Sequence, residues 1–143
     1  MAVRGDALFV GYKKPRILVA CIAQVSSTTI AVPDHILWST RDAQYFNQGN
    51  DYAHFVCKRA GTYTLRLSVR STYPSGSSTR TNCTGRVYIN SSYGTRELTS
   101  SSNAYTSQDY TVTLAKGDIV ALNAKASASA GYVPVNLMII QTQ

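Results

Sequence analysis

Acidic residues are nearly missing from this chain: its 143 residues include one glutamate, Glu97, and six aspartates. Lysine is scarce too, with five. Helical surfaces lean on Glu, Lys, Ala and Leu. Their shortage, beside abundant Ser, Thr and Val and ten Tyr, excludes a helical bundle, a coiled coil and an acidic disordered tail, and leaves an all-β chain. No apolar run approaches the ~20 residues that a membrane helix needs, so no membrane partner is expected. The opening MAVRGDALFVGYKKPRILVA puts Lys13, Lys14 and Arg16 behind its first apolar patch. A secretory signal carries its charge ahead of that patch, so export by a leader is not expected.

The chemistry of familiar sites is equally thin. Cys21, Cys57 and Cys83 form no CxxC and no metal spacing, and an odd count does not read as a disulfide framework. Three reduced thiols are the reading, with Cys21 and Cys57 as small buried hydrophobes. His54 and Cys57 lie three apart on a strand, which sends them to opposite faces and denies them a nucleophilic pair. Glu97 stands alone, and Asp6, Asp34, Asp42, Asp51, Asp109 and Asp118 are scattered with no calcium loop among them. The sequence therefore predicts no enzyme, no metal and no cofactor. Asp118 reads instead as stabilising its own turn at Gly117. Arg4-Gly5-Asp6 is an integrin-type tripeptide, but three residues carry little information.

What is present is short apolar pieces separated by turn residues. Residues 1–15 read as an extended arm closed by Pro15, and 16–143 as one domain. ILVACIAQV (17–25) and VPVNLMII (133–140) are apolar on both alternating faces. GTYTLRLSV (61–69) has one dry face, Tyr63, Leu65, Leu67 and Val69, and one wet, cationic face. GRVYIN (85–90) alternates likewise, and YTVTL (110–114) turns through AKGD into IVALNA (119–124) as a hairpin. About eight to ten such strands, spaced by turn signals, are the pattern of a sandwich or barrel.

From residue 45 onward the order of features resembles the C1q/TNF-like family of jelly rolls. YAHFVCKRAGTYTLRLSV (52–69) matches the family's Phe-bearing strand, Gly turn and Tyr-rich strand. YTVTLAKGDIVALNA (110–124) matches its apolar pair about a Gly-Asp turn, and VNLMII (135–140) its closing strand. The resemblance covers about two thirds of the chain and implies an antiparallel two-sheet jelly-roll sandwich that assembles as a trimer. No Gly-X-Y stalk and no membrane anchor precede it here. Receptor or complement activity is therefore not carried over.

A trimer also follows from the residues. A sandwich monomer needs one dry face per sheet, yet the first and last long strands are dry on both. An obligate interface resembles a core cut in half, which assigns Ile17, Val19, Cys21, Val135, Leu137 and Ile139 to a homotrimer contact. The net charge is +7, so a trimer carries three times that, +21. The basic residues are dispersed, which argues against nucleic acid as a partner.

A stalk-less trimer with a basic arm suits a virion-surface protein of a phage or related virus, made in the host cytoplasm. It would decorate the capsid or form a fibre tip. Its partner would be the major capsid protein or another virion protein, with Lys13, Lys14 and Arg16 anchoring the arm to an acidic surface. The alternative is a receptor- or glycan-binding head. Tyr73, Tyr93, Tyr105 and Tyr132 sit among Ser, Thr and Gly, as contact residues do in binding loops. On that reading they meet a cell-surface glycan; on the plainer one they cap the edges of the sandwich.

Overall fold

The computed structural model describes residues 15–71, 80–127 and 132–141. The arm lysines Lys13 and Lys14 and the loop tyrosine Tyr73 lie outside that set.

Ten strands account for the fold: β1 (Arg16–Val25), β2 (His35–Arg41), β3 (Phe46–Gln48), β4 (His54–Cys57), β5 (Gly61–Val69), β6 (Cys83–Ile89), β7 (Glu97–Ser100), β8 (Thr106–Leu114), β9 (Ile119–Ala126) and β10 (Val133–Gln141). They form two five-stranded antiparallel sheets. Sheet A runs β2-β1-β10-β5-β8 and sheet B runs β3-β4-β9-β6-β7. The first and last strands are neighbours in register, with Cys21 opposite Leu137 and Ala23 opposite Val135.

The period-two pattern decides what lies between the sheets. Sheet A contributes Val19, Cys21, Ala23 and Val25 from β1, Tyr63, Leu65, Leu67 and Val69 from β5, and Val133, Val135, Leu137 and Ile139 from β10. Sheet B contributes Phe46, Phe55, Cys57, Val87, Val120 and Leu122. Burying a side chain of this kind stabilises the fold by about 1.5–3 kcal/mol. Packing between the sheets is tight at Gly85 on β6. A Cβ there would lie 2.8 Å from Val69 Cγ1 and 3.0 Å from both Leu67 Cδ1 and Val135 Cγ2. Glycine is used at that position because the facing sheet leaves no room for more.

This register corrects the interface assignment. Val19, Cys21, Val135, Leu137 and Ile139 are fully buried in the sandwich's own core, so none has surface to offer another copy. Of the six residues assigned, Ile17 alone points outward, opposite Ile140. Both alternations of β1 and β10 are apolar. Composition therefore does not tell which set turns into the core, and a one-residue change of register exchanges them.

β8 begins four residues before the apolar piece at Tyr110 and pairs with β5 along its whole length, from Thr106 opposite Val69 to Leu114 opposite Gly61. Its first half, TSQD, is polar and exposed, as an edge strand can be. The apolar piece around Ile30 is no full strand. Ala31 makes one bridge to Ala124, donating and accepting at 2.9 Å, and so extends sheet B beyond the short β4.

Candidate functional site

The two outer faces are the surfaces on which a function can be built. On sheet A, β1 presents Ile17, Ala20 and Ile22, and their β10 partners are Ile140, Met138 and Asn136. Trp38 on β2 stands opposite Ile22. Ile17 is 53% exposed and Trp38 52%. Toward β8 the patch meets a polar rim. Arg66 clamps Asp109 through two hydrogen bonds of 2.8 and 3.0 Å, and Ser68 shares one of 2.7 Å with Ser107. The Arg66 guanidinium holds the Asp109 carboxyl below its usual range. At the centre of the face, Asn136 Oδ1 is buried and accepts no hydrogen bond from the described residues.

Sheet B's outer face is mostly polar, with Ile119 exposed at the start of β9. Arg86 pairs with Glu97 across β6 and β7, Thr84 shares a 2.8 Å hydrogen bond with Thr99, and Lys125 stands opposite Thr84. Between β4 and β6 the face dips. His54 and Tyr88 flank Ala121, each directly in register with it. The hollow between them, about 520 Å³, is lined also by Asn50, Asn90 and Asn123.

The loop tyrosines do not converge. Tyr93 belongs to the β6–β7 connection, where its ring meets Tyr88 edge-on at 5.4 Å and lies under the Arg86 guanidinium at 4.1 Å. Tyr105 and Tyr132 lie at the opposite end of the sandwich, where β8 and β10 begin. Tyr105 carries the Arg70 guanidinium at 5.0 Å, and Tyr132 packs on His35 at 4.5 Å. Both remain exposed. Arg16, the described member of the basic arm group, pairs with Asp42 and lies 5.5 Å from the Tyr45 ring. Arg59 covers the same ring at 4.7 Å.

Among the described residues the familiar catalytic side chains stay apart. All three cysteines are free and buried. Burial pushes the Cys21 thiol up to about 11, Cys83 to about 12, and Cys57 upward, so none is a thiolate nucleophile near neutrality. Cys57 points into the core while His54 lines the outer hollow, the opposite faces that their spacing implies. Among the described residues no three His, Cys, Asp or Glu side chains gather as metal ligands, and no helix is long and apolar enough to cross a membrane. Asp118 closes its own turn by accepting from Ala115 N–H at 2.8 Å. It also accepts from Asn90 Nδ2 at 2.9 Å, and these bonds hold its carboxyl below the ordinary range.

No protein-family model matches this sequence, and no curated protein sequence does. Solved structures match through the fold. Rabbit GITRL aligns over 86% of this chain and 96% of its own at 14% identity, with a TM-score of 0.50. Murine APRIL aligns over 87% of this chain and 99% of its own at 12% identity, with a TM-score of 0.51. The fold is a C1q/TNF-like jelly roll. The globular domain of zebrafish complement 1qA aligns over 83% of this chain and 94% of its own at 16% identity, with a TM-score of 0.44. At such identities the jelly roll is what is shared. The activity belongs to the surface residues, which have to be read for themselves.

Proposed function

We propose that this jelly roll is a non-enzymatic head that assembles as a homotrimer through the outer face of sheet A and acts by binding a macromolecular surface. The observation that carries this is the exposed apolar patch of Ile17, Ile22 and Trp38, continuous with Met138, on a sandwich whose core is already complete. A contiguous apolar patch inside a polar rim marks a contact surface. Its occupant is two further copies of the same chain. The charges at its rim, Arg66 and Asp109, cancel one another, so a chain of net charge +7 can meet itself there without stacking like charges. Buried Asn136 Oδ1 lies where a donor from a neighbouring copy would satisfy it, and leaving such an atom unpaired costs about 1–3 kcal/mol.

The setting proposed is a virion surface, as a capsid decoration or a fibre tip. In support, a three-fold assembly matches the local three-fold positions of an icosahedral shell, and binding rather than chemistry is what the surface offers. A receptor- or glycan-binding head is the second reading, favoured by the exposed Tyr105 and Tyr132 at one end of the sandwich.

Light scattering of the purified chain tests the assembly. A mass three times 15.5 kDa is expected, and a monomer at micromolar concentration overturns it. Mixing the trimer with virus particles tests the setting. Saturable binding in multiples of three supports it, and no binding to particles from which the protein was purified or stripped refutes it.

A further inference from the structure

We propose that the hollow on the outer face of sheet B is a binding site for one or two rings of a neutral saccharide. The register makes the slot. His54 on β4 and Tyr88 on β6 flank Ala121 on β9 at the same level. Adjacent strands lie about 4.8 Å apart, so these two rings rise from backbones about 10 Å apart. Alanine between them keeps the floor low, and the spacing accepts one flat ring edge-in between two ring walls. A volume of about 520 Å³ is within the range of small-ligand sites.

The polar lining selects the ligand. No Asp, Glu, Lys or Arg lines the hollow. The ionic groups beside it are already partnered: Arg86 pairs with Glu97 and donates to the Tyr88 hydroxyl at 3.4 Å, and Asp118 accepts from Asn90 and the Ala115 N–H. A phosphate, a sulfate or a sialic carboxylate would therefore find no lysine or arginine lining the hollow, and Arg86 behind Tyr88 is already paired with Glu97. Beside the apolar Ile30 and Ile119, the polar groups of the lining are mostly amides. Asn123 Oδ1 is buried and accepts no hydrogen bond from a described residue; rotation about its soft terminal torsion turns it toward the hollow. Asn90 is different. Its amide donates to Asp118 and accepts from Ile119 N–H at 2.9 Å, which makes it part of the frame. Amides that donate and accept together suit vicinal hydroxyls, and an aromatic wall suits the apolar face of a sugar.

The Tyr88 wall is held before any ligand arrives. Tyr93 meets the Tyr88 ring edge-on and is itself covered by Arg86, so Tyr88 starts with little freedom to lose. This gives Tyr93 a positioning role beside the site in place of a contact at a loop tip.

The site lies within one protomer, on the sheet opposite the proposed trimer face. It does not rest on the trimer, and a monomeric variant should keep it. The test is amide NMR of the isotope-labelled chain titrated with glucose, galactose, mannose, N-acetylglucosamine and lactose, followed by a glycan array carrying neutral, sulfated and sialylated glycans. Saturable shifts at His54, Tyr88, Ala121 and Asn123 with a neutral sugar are expected. Ala121→Leu, which fills the floor from the solvent side, and Tyr88→Ala should each weaken binding at least tenfold, while Gln108→Ala, exposed on β8 of the other sheet, leaves it unchanged. Circular dichroism confirms that each variant is folded, and Asn123→Ala serves as the milder second variant. A flat neutral array, binding confined to anionic glycans, or binding that survives Ala121→Leu each overturns the proposal.

Discussion

Sheets A and B are built from the same five-strand plan and share one core, yet their outer faces have opposite characters. Sheet A turns Ile17, Ile22, Trp38 and Met138 outward. Sheet B turns outward Arg86 with Glu97, Thr84 with Thr99, and the hollow between His54 and Tyr88. An outward face usually alternates to polar because water meets it. Sheet B follows that rule and sheet A breaks it along β1 and β10, the pair at its centre. The difference teaches that the exception is local. β8 and β5, in the same sheet, return to Thr64, Arg66, Ser68, Ser107 and Asp109 on their outward positions. An apolar centre inside a polar margin is the anatomy of a contact face.

The largest effect should come from making the two faces alike. Met138→Glu or Ile22→Asp puts a charge in the middle of sheet A's outer face. A residue central to a contact commonly contributes about 2 kcal/mol or more per subunit, and three-fold symmetry repeats the loss three times. The expected outcome in light scattering is a folded monomer in place of a trimer. The same substitution in sheet B, Ala121→Asp, should leave the mass unchanged. Next comes Gly85→Val, which touches neither outer face. Its side chain would enter the space held by Val69, Leu67 and Val135, and overpacking of this kind costs typically about 1–3 kcal/mol. Urea unfolding should show a lower midpoint with the ligand and subunit contacts intact in the folded fraction.

How far the faces could be foreseen varied with the kind of signal. Tyr63, Leu65, Leu67 and Val69 alternate with polar residues, so their inward face was legible from the sequence. In β1 and β10 both alternations are apolar. The expected subunit contact was placed there on Val19, Cys21, Val135, Leu137 and Ile139, the side that the sandwich itself buries. The first half of β8, Thr106 to Asp109, carries no apolar signal and is a strand only because β5 pairs with it. The hollow on sheet B was invisible for a related reason. His54, Tyr88 and Ala121 come from three strands far apart in sequence, and only the β4-β9-β6 order brings them level. Tyr93 was noticed as a loop aromatic, but its contact with Tyr88 depends on that same order.

A smaller effect should follow from loosening the frame of the sheet B hollow. Asn90 holds φ at +50° and Ser91 at +72° in the tight turn after β6, a region that Asn tolerates better than most residues. Asn90→Ala keeps the demanding φ and removes the bonds to Asp118 and Ile119. A loss of about 1–2 kcal/mol is expected from the hydrogen bonds and the left-handed backbone together. Asn90→Gly should recover part of that loss, because glycine relieves the backbone and restores no hydrogen bond. A variant pair with equal melting points would mean that the turn's conformation costs nothing.

The smallest effect belongs to the rim of sheet A. Arg66 and Asp109 are each over two-fifths exposed, at 43% and 47%, and exposed pairs of this kind typically contribute about 0.2–1 kcal/mol. The direction with pH follows from the carboxyl. Asp109 is held below its ordinary range by Arg66, so its contribution is present in full above the unfolded Asp value of about 3.9. It fades as pH falls below that value and is gone once pH has passed through the lower folded one. Asp109→Asn should therefore lower stability slightly at pH 7 and not at all at the acid end, where the two proteins converge. If the pair is buried at the edge of a trimer, the gap at pH 7 should widen with protein concentration and resist added salt. If the face is open to water, salt alone should close the gap. The salt dependence of this one pair thus reports whether the apolar face of sheet A is covered in solution.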